Sequence, residues 1–263
     1  MYLAPRRYGP INWLGLQTLL TREIMRFIKV SAQTLVAPLV STVLFMAVFA
    51  LALGANASPF AGVRYVDFLA PGLLMMAMLN NAFANSSSSL VIAKVQGNSV
   101  DFLMPPLSAA ELTVAFLGGA AARGILVGLI GAAILAPFAH IVPKEPLAAI
   151  YFGVIASVMF AAIGLIGGIW SEKFDHIAAV TNFVVTPLTF LSGTFYSIDM
   201  LPAPFAQIGH WNPVFFLIDG FRFGFTGHAD GDVWIGAGVT FAISAALCVT
   251  CWLMLRAGYR LKA

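Results

Sequence analysis

His228, Asp230 and Asp232 form the densest group of metal-ligand types in this chain of 263 residues, spaced by single residues in a polar loop. A weak metal site is conceivable there, but a solvated loop is the better reading, and no metal is assigned. Cys248 and Cys251 lie one turn apart in an apolar segment. There they read as small packing residues rather than a disulfide or a metal pair. No Gly-x-x-x-x-Gly-Lys-Ser/Thr loop occurs, so the chain itself has no ordinary means of binding ATP. It also lacks a His-Glu-x-x-His helix and a Gly-x-Ser-x-Gly elbow. No Asp or Glu falls deep in an apolar segment, which removes the paired acids of an intramembrane protease. No catalytic or cofactor-binding residue is assigned.

Arg123 is the one ionised side chain that falls inside an apolar run, and charge at that depth points to function unless it is locked structurally. It lies about 11 residues into its segment, and Asn80 about 11 residues from the inner end of the preceding one. At about 1.5 Å per residue both are near 17 Å deep. Asn80 or Asn81 can then satisfy the guanidinium across the helical hairpin. The favoured reading is a structural lock between two spans, helped by Gly119, Gly124 and Gly128. Direct substrate contact is the alternative.

These residues need membrane helices to hold them. Hydrophobic residues make up 60% of the chain, charged ones only 10%, and the mean hydropathy is +0.91. A soluble domain carries about 25% charged residues. The fold class is therefore all-α polytopic membrane protein, one domain over 1–263. Residues 1–31 hold an amphipathic helix with Gln17, Thr18, Arg22, Arg26 and Lys29 on its polar side and Trp13, Leu16, Leu20, Ile24 and Phe27 as the opposite stripe, lying in the membrane interface. Residues 32–255 form six transmembrane helices: 32–53, 68–91, 112–137, 146–170, 176–195 and 233–255. Residues 256–263 are a cytoplasmic tail. The net charge of +3 is no nucleic-acid signal.

Between spans five and six the run from Leu191 to Arg222 is broken at Ser197, Pro202, Pro204 and the Asn212-Pro213 step. Pro213 lacks an N–H and pushes Asn212 out of helix. Asp219 and Arg222, at i, i+3, can pair on one face of a short helix. A re-entrant helical hairpin with its broken backbone buried against protein fits this pattern better than a seventh span.

On the other side, Ile92 to Ala110 turns polar. Asn98 or Ser99 can cap a short helix through Met104, Pro105-Pro106 ends it, and Ser108-Ala-Ala-Glu111 is a capping box. Phe102, Leu103 and Met104 are apolar yet outside the membrane, which suggests a docking surface with Asp101 orienting the partner. An anchor in the headgroup layer is the alternative.

The ordered set Ser192-Gly193, Phe195-Tyr196, Leu201-Pro202, Asn212-Pro213 and Arg222 resembles the closing segment of ABC-2 type export permeases. The run from Gly97 through Ser99, Asp101, Leu103 and Pro106 to Ser108 is similar to that family's Gly-x-x-x-Asp-x-Leu-x-x-Pro-x-Ser pattern. The resemblance implies that Gly97 to Leu107 is a coupling helix docking on a separate ATPase, which binds ATP and Mg. It also implies a second copy of the chain, a pathway between the two, and a bacterial inner membrane.

With six spans and a cytoplasmic N-terminus, ten of the fourteen Lys and Arg fall inside, among them Lys29, Lys94, Lys173 and Arg256. Arg64, Lys144 and Arg222 fall outside, and Arg123 lies within the membrane. This is a positive-inside bias with both termini cytoplasmic. The expected function is export of an amphipathic, lipid-like, drug-like or glycolipid or polysaccharide substrate. The rivals are an intramembrane enzyme or a channel without a recognisable motif.

Overall fold

The computed structural model describes residues 9–54, 63–200, 202, 209 and 211–261. Arg6, Arg7, Lys262 and much of the first half of the expected hairpin lie outside these. The described residues are helical throughout. They comprise α1 (Trp13–Lys29), a π-helical segment Ala32–Val36 running into α2 (Ala37–Leu53), α3 (Tyr65–Val95), α4 (Val100–Leu103), α5 (Ala109–Leu135) and α6 (Pro146–Trp170). A broken helix follows, made of α7 (Phe174–Val180), a second π-helical segment Thr181–Val185 and α8 (Thr186–Phe190). After a 3-10 turn at Ile198–Met200 come α9 (Pro213–Thr226) and α10 (Val233–Ala257).

Among the described residues five helices are long and apolar enough to cross a membrane: α2 with its π segment, α3, α5, α6 and α10. The expected span 176–195 differs. Its helix stops at Phe190, and Leu191 to Phe195 are turn and bend. Pro187 removes one ladder hydrogen bond, and the Thr186 amide reaches Thr181 O across a widened turn instead.

The bundle is built around α3, the most enclosed of the five with 83% of its apolar window buried. α6 and α5 pack along it, and glycine permits the approach. A Cβ on Gly164 of α6 would lie 2.3 Å from Phe83 O, and one on Gly124 of α5 would lie 2.9 Å from Met78 O. Gly128 faces Met78 in the same way, but Gly119 faces Glu23 of α1 and not α3. In contrast, α2 and α10 have only 17% and 22% of their windows buried.

Helix ends are closed by local chemistry. Asn12 Oδ1 accepts the Gly15 amide at 3.0 Å to start α1. Ser108 and Glu111 close both halves of the capping box on α5. Asp232 accepts the amides of Trp234 and Ile235 at 2.8 and 3.0 Å, so it serves as the cap of α10. Among the described residues no group of three His, Cys, Asp or Glu is placed to hold a metal ion.

The helix α1 rests on the bundle. Leu19, Glu23 and Phe27, at i, i+4 and i+8, form its buried face against α5, while Trp13 and Leu14 are exposed. The expected stripe of Trp13, Leu16, Leu20, Ile24 and Phe27 is thus rotated. Glu23 belongs on the inner face because arginines neutralise it there.

Candidate functional site

Arg123 lies on α5 facing α3 and is 92% buried, its relative exposure being 8%. Its Nη2 donates to Asn81 Oδ1 at 2.8 Å. Asn81 is oriented for this because its own Nδ2 is spent on Ala77 O at 2.9 Å, one turn back in α3. Nη2 also reaches Thr34 O at 3.4 Å. The residue four positions on is Pro38, which has no N–H to return to that carbonyl. Asn80 does not bond to Arg123; it lines the adjoining cavity. Among the described residues Arg123 Nε has no partner.

The cavity beside Arg123 measures about 550 Å³ and lies between α2, α3 and the broken helix. One part of its wall is apolar (Phe45, Leu73, Met76 and Phe190), and another carries hydroxyls and amides from Ser41, Thr42, Asn80, Ser88 and Thr189. Both π-helical segments border this region, through Thr34 beside Arg123 and Thr181 on the wall. Widened turns of this kind occur often at functional sites because they re-aim side chains and free carbonyls.

One turn toward the amphipathic helix, a second guanidinium meets α3. Arg26 donates to Asn85 O at 2.6 Å, to Asn85 Oδ1 at 3.0 Å and to Ser88 Oγ at 3.1 Å. Glu23, fully buried, pairs with Arg22 at 3.1 Å and with Arg26 at 3.4 Å. Burial pulls the Arg26 pKa below its ordinary value, against the opposing pull of Glu23. Arg123 is therefore not the one buried charge. The signal for Glu23 was its place at i+4 between Leu19 and Phe27.

On the opposite side of α5's start, the turn after α3 opens at Gly97, whose φ of +71° suits only glycine without strain. Ser99 precedes α4 but makes no capping bond. Phe102 is only 2% exposed and stands edge-on to Phe116 of α5, ring centroids 5.5 Å apart. This corrects the expectation that Phe102 is exposed for docking: a helix of four residues has one inward position, and the largest side chain takes it. Met104 is 79% exposed, and Val100 and Leu103 are exposed beside it. Pro106 O accepts Asn12 Nδ2 at 3.2 Å, and Glu111 Oε1 accepts the Asn12 amide. The turn and the start of α1 are thus one unit, with a groove of about 240 Å³ between them, bordered by Thr18, Arg22 and Asp101. Lys94, expected in the cytoplasm, is buried. Its Nζ donates to the carbonyls of Gly168 and Ser171 at 3.0 and 3.1 Å and to that of Ile169.

At the far end of the bundle Asn212 caps α9, accepting the Val214 amide at 3.0 Å, with Pro213 in the first helical position. Its Nδ2 donates to Ser192 Oγ at 2.7 Å and Leu188 O at 3.0 Å, tying α9 to the end of α8. Asp219 and Arg222 diverge instead of pairing. Arg222 donates to Gly193 O at 2.6 Å and Phe68 O at 3.3 Å, and lies over the Phe68 ring at 3.7 Å. Asp219 accepts the amides of Asp230 and Gly231, each at 2.9 Å. The Gly193 carbonyl in irregular backbone, the Phe68 carbonyl and amides in the loop before α10 were closer partners than either had in the other.

The ABC-2 type transporter family matches residues 15–226, from the first turns of α1 to the last residue of α9. The chain belongs to this family. It is similar to the inner membrane transport permease YadH of Escherichia coli strain K12, with 34% identity over 256 residues covering 96% of this chain and 99% of that protein. Nodulation protein J of Rhizobium leguminosarum bv. viciae is 24% identical over 256 residues, covering 94% and 97% of the two chains. Nodulation protein J of Neorhizobium galegae is 24% identical over 234 residues, covering 88% of this chain and 87% of that one. Within this ABC-2 chain the family match spans the Arg123 cavity, the turn at Gly97 to Ser108 and the Arg222 anchor. α10, which follows the match, presents most of its surface outward.

Proposed function

We propose that the chain is the permease subunit of an ATP-driven exporter in a bacterial inner membrane. It works as a dimer of two copies and couples to separate ATPase subunits that bind ATP and Mg. The observation that carries this reading is the exposed apolar cluster on α4 and Met104, set at the junction of α3 and α5 in a chain of this family. Phe102 roots α4 in the bundle, so a push on Met104 is passed to α3 and α5, the two most buried of the long helices. The open faces of α2 and α10 are available to lipid and to the second copy.

In this reading the broken helix 174–190 is the remaining span, six in all, with both termini cytoplasmic. Its 17 residues cover about 26 Å, short of a hydrocarbon core of about 30 Å. The difference is made up by the turn after Phe190, where Ser192 and Thr194 are fully buried against protein. In a background without Cys248 and Cys251, single cysteines at His228 and Tyr259 should label from opposite sides of the membrane. Labelling from one side overturns the topology.

The coupling role is tested by Met104→Glu, which leaves Phe102 seated. Membrane yield and dimer formation should stay near wild type, while co-purification of the ATPase falls about tenfold or more, as for a central apolar contact. Full retention of the ATPase sinks this surface as its contact.

A further inference from the structure

The cavity beside Arg123 has a composition that selects among substrates. Arg123 is 92% buried, its Nε is unpartnered among the described residues, and its other contacts are neutral, an asparagine oxygen and a backbone carbonyl. Among the described residues no acidic side chain lines the cavity. The one buried carboxylate in that region, Glu23, is already held by Arg22 and Arg26. A guanidinium taken this far from water without an anion is costly, and the cost is relieved when an anion arrives. Arg26, bound to the α3 face one turn away, adds a second positive charge at the same end. The hydroxyl and amide wall suits oxygen-rich groups around that anion, and Phe45, Leu73, Met76 and Phe190 suit a hydrocarbon tail. The volume of about 550 Å³ falls within the range of about 300–1,000 Å³ usual for ligand pockets.

Building on the permease reading above, we propose that this cavity is a binding site for an amphipathic anion. Arg123 contacts its phosphate- or carboxylate-type head, and the apolar wall holds the first part of its tail. Arg123 lines the cavity and both of its hydrogen bonds leave from Nη2, so a head group on the rest of the guanidinium needs no rupture of the Asn81 bond. Amphipathic cations are selected against, because they would face Arg123 and Arg26 with no carboxylate to receive them.

The test uses the full-length permease alone, in phosphatidylcholine nanodiscs, so its outcome does not depend on any ATPase. Radiolabelled dodecyl phosphate is titrated, and dodecyltrimethylammonium, dodecyl maltoside and inorganic phosphate are used as competitors. Dodecyl phosphate should bind saturably and at least about tenfold tighter than the matched cation, with dodecyl maltoside between them. R123Q should weaken dodecyl phosphate by about ten- to a hundredfold, the range for hydrogen bonds to a charged partner. R123K should recover most of that loss. Equal affinity for the anion and the cation, or unchanged binding in a folded R123Q, overturns the proposal. Inorganic phosphate competing as well as dodecyl phosphate overturns the amphipathic part. If R123Q does not fold, Ala84→Phe carries the test. Ala84 lines the cavity away from Arg123's own bonds, and a phenyl ring there should exclude the tail. Undiminished dodecyl phosphate binding in that variant places the site elsewhere. None of these failures touches the ATPase contact, which Met104→Glu tests separately.

Discussion

Arg222→Ala should lower stability in detergent by about 4 kcal/mol, the loss of two buried hydrogen bonds from a charged donor plus the contact with the Phe68 ring. That is a large part of the about 5–15 kcal/mol by which proteins are stable. The guanidinium bridges three places in the chain: α9, the carbonyl of Phe68 near the start of α3, and the carbonyl of Gly193 beyond α8. Gly193 lies in a turn and is buried with it, so removing the donor leaves that carbonyl facing an apolar hole. Arg222→Lys should recover less than half, because one ammonium cannot reproduce a planar fork that bonds two carbonyls and stacks on a ring. The measurement is thermal unfolding followed by Trp fluorescence, with folded yield as a second readout. An Arg222→Ala protein that unfolds within a degree or two of wild type would show that α9 is held by its apolar face alone.

The second large effect is expected at Lys94. Its ammonium collects the last carbonyls of α6, which no residue of that helix can satisfy, and its charge suits the negative end of the helix dipole. Lys94→Met keeps an unbranched side chain only one atom shorter and deletes the three donors. The expected cost is about 2–3 kcal/mol. A functional loss should exceed what that cost explains. Lys94 sits six residues before α4 and fastens the end of α3 to the end of α6, just ahead of the turn into α7. With the fastening gone, the ATPase should still bind through Met104, but substrate stimulation of its hydrolysis should fall about tenfold. A variant that is destabilised yet fully coupled would confine Lys94 to a structural role.

These residues mark how far the sequence could be read. The five long spans, the capping box at Ser108 and Glu111 and the start of α9 at Asn212-Pro213 are written in runs of a few neighbouring residues. Each depends on backbone chemistry or transfer from water, which act locally. Depth along two helices likewise brings Arg123 opposite Asn80 and Asn81, since rise per residue is nearly constant. Which of the two it meets depends on the rotation of α3, and only packing sets that.

Membrane helices are apolar on every side, so their sequence does not say which face meets protein and which meets lipid. The inward turn of Phe102, the burial of Glu23 against Gly119 and the grip of Lys94 on α6 are contacts between residues far apart in the chain. The same holds for Asp219 and Arg222. Local spacing offered each to the other, but tertiary structure supplied loop amides to one and the carbonyls of Gly193 and Phe68 to the other. The sequence by itself determined which runs are long and apolar enough to cross a membrane, where their helices are capped and where proline breaks them. Tertiary structure alone decided which charges are buried and what satisfies them, because in lipid a buried charge takes whatever unpaired polar group the fold brings within reach.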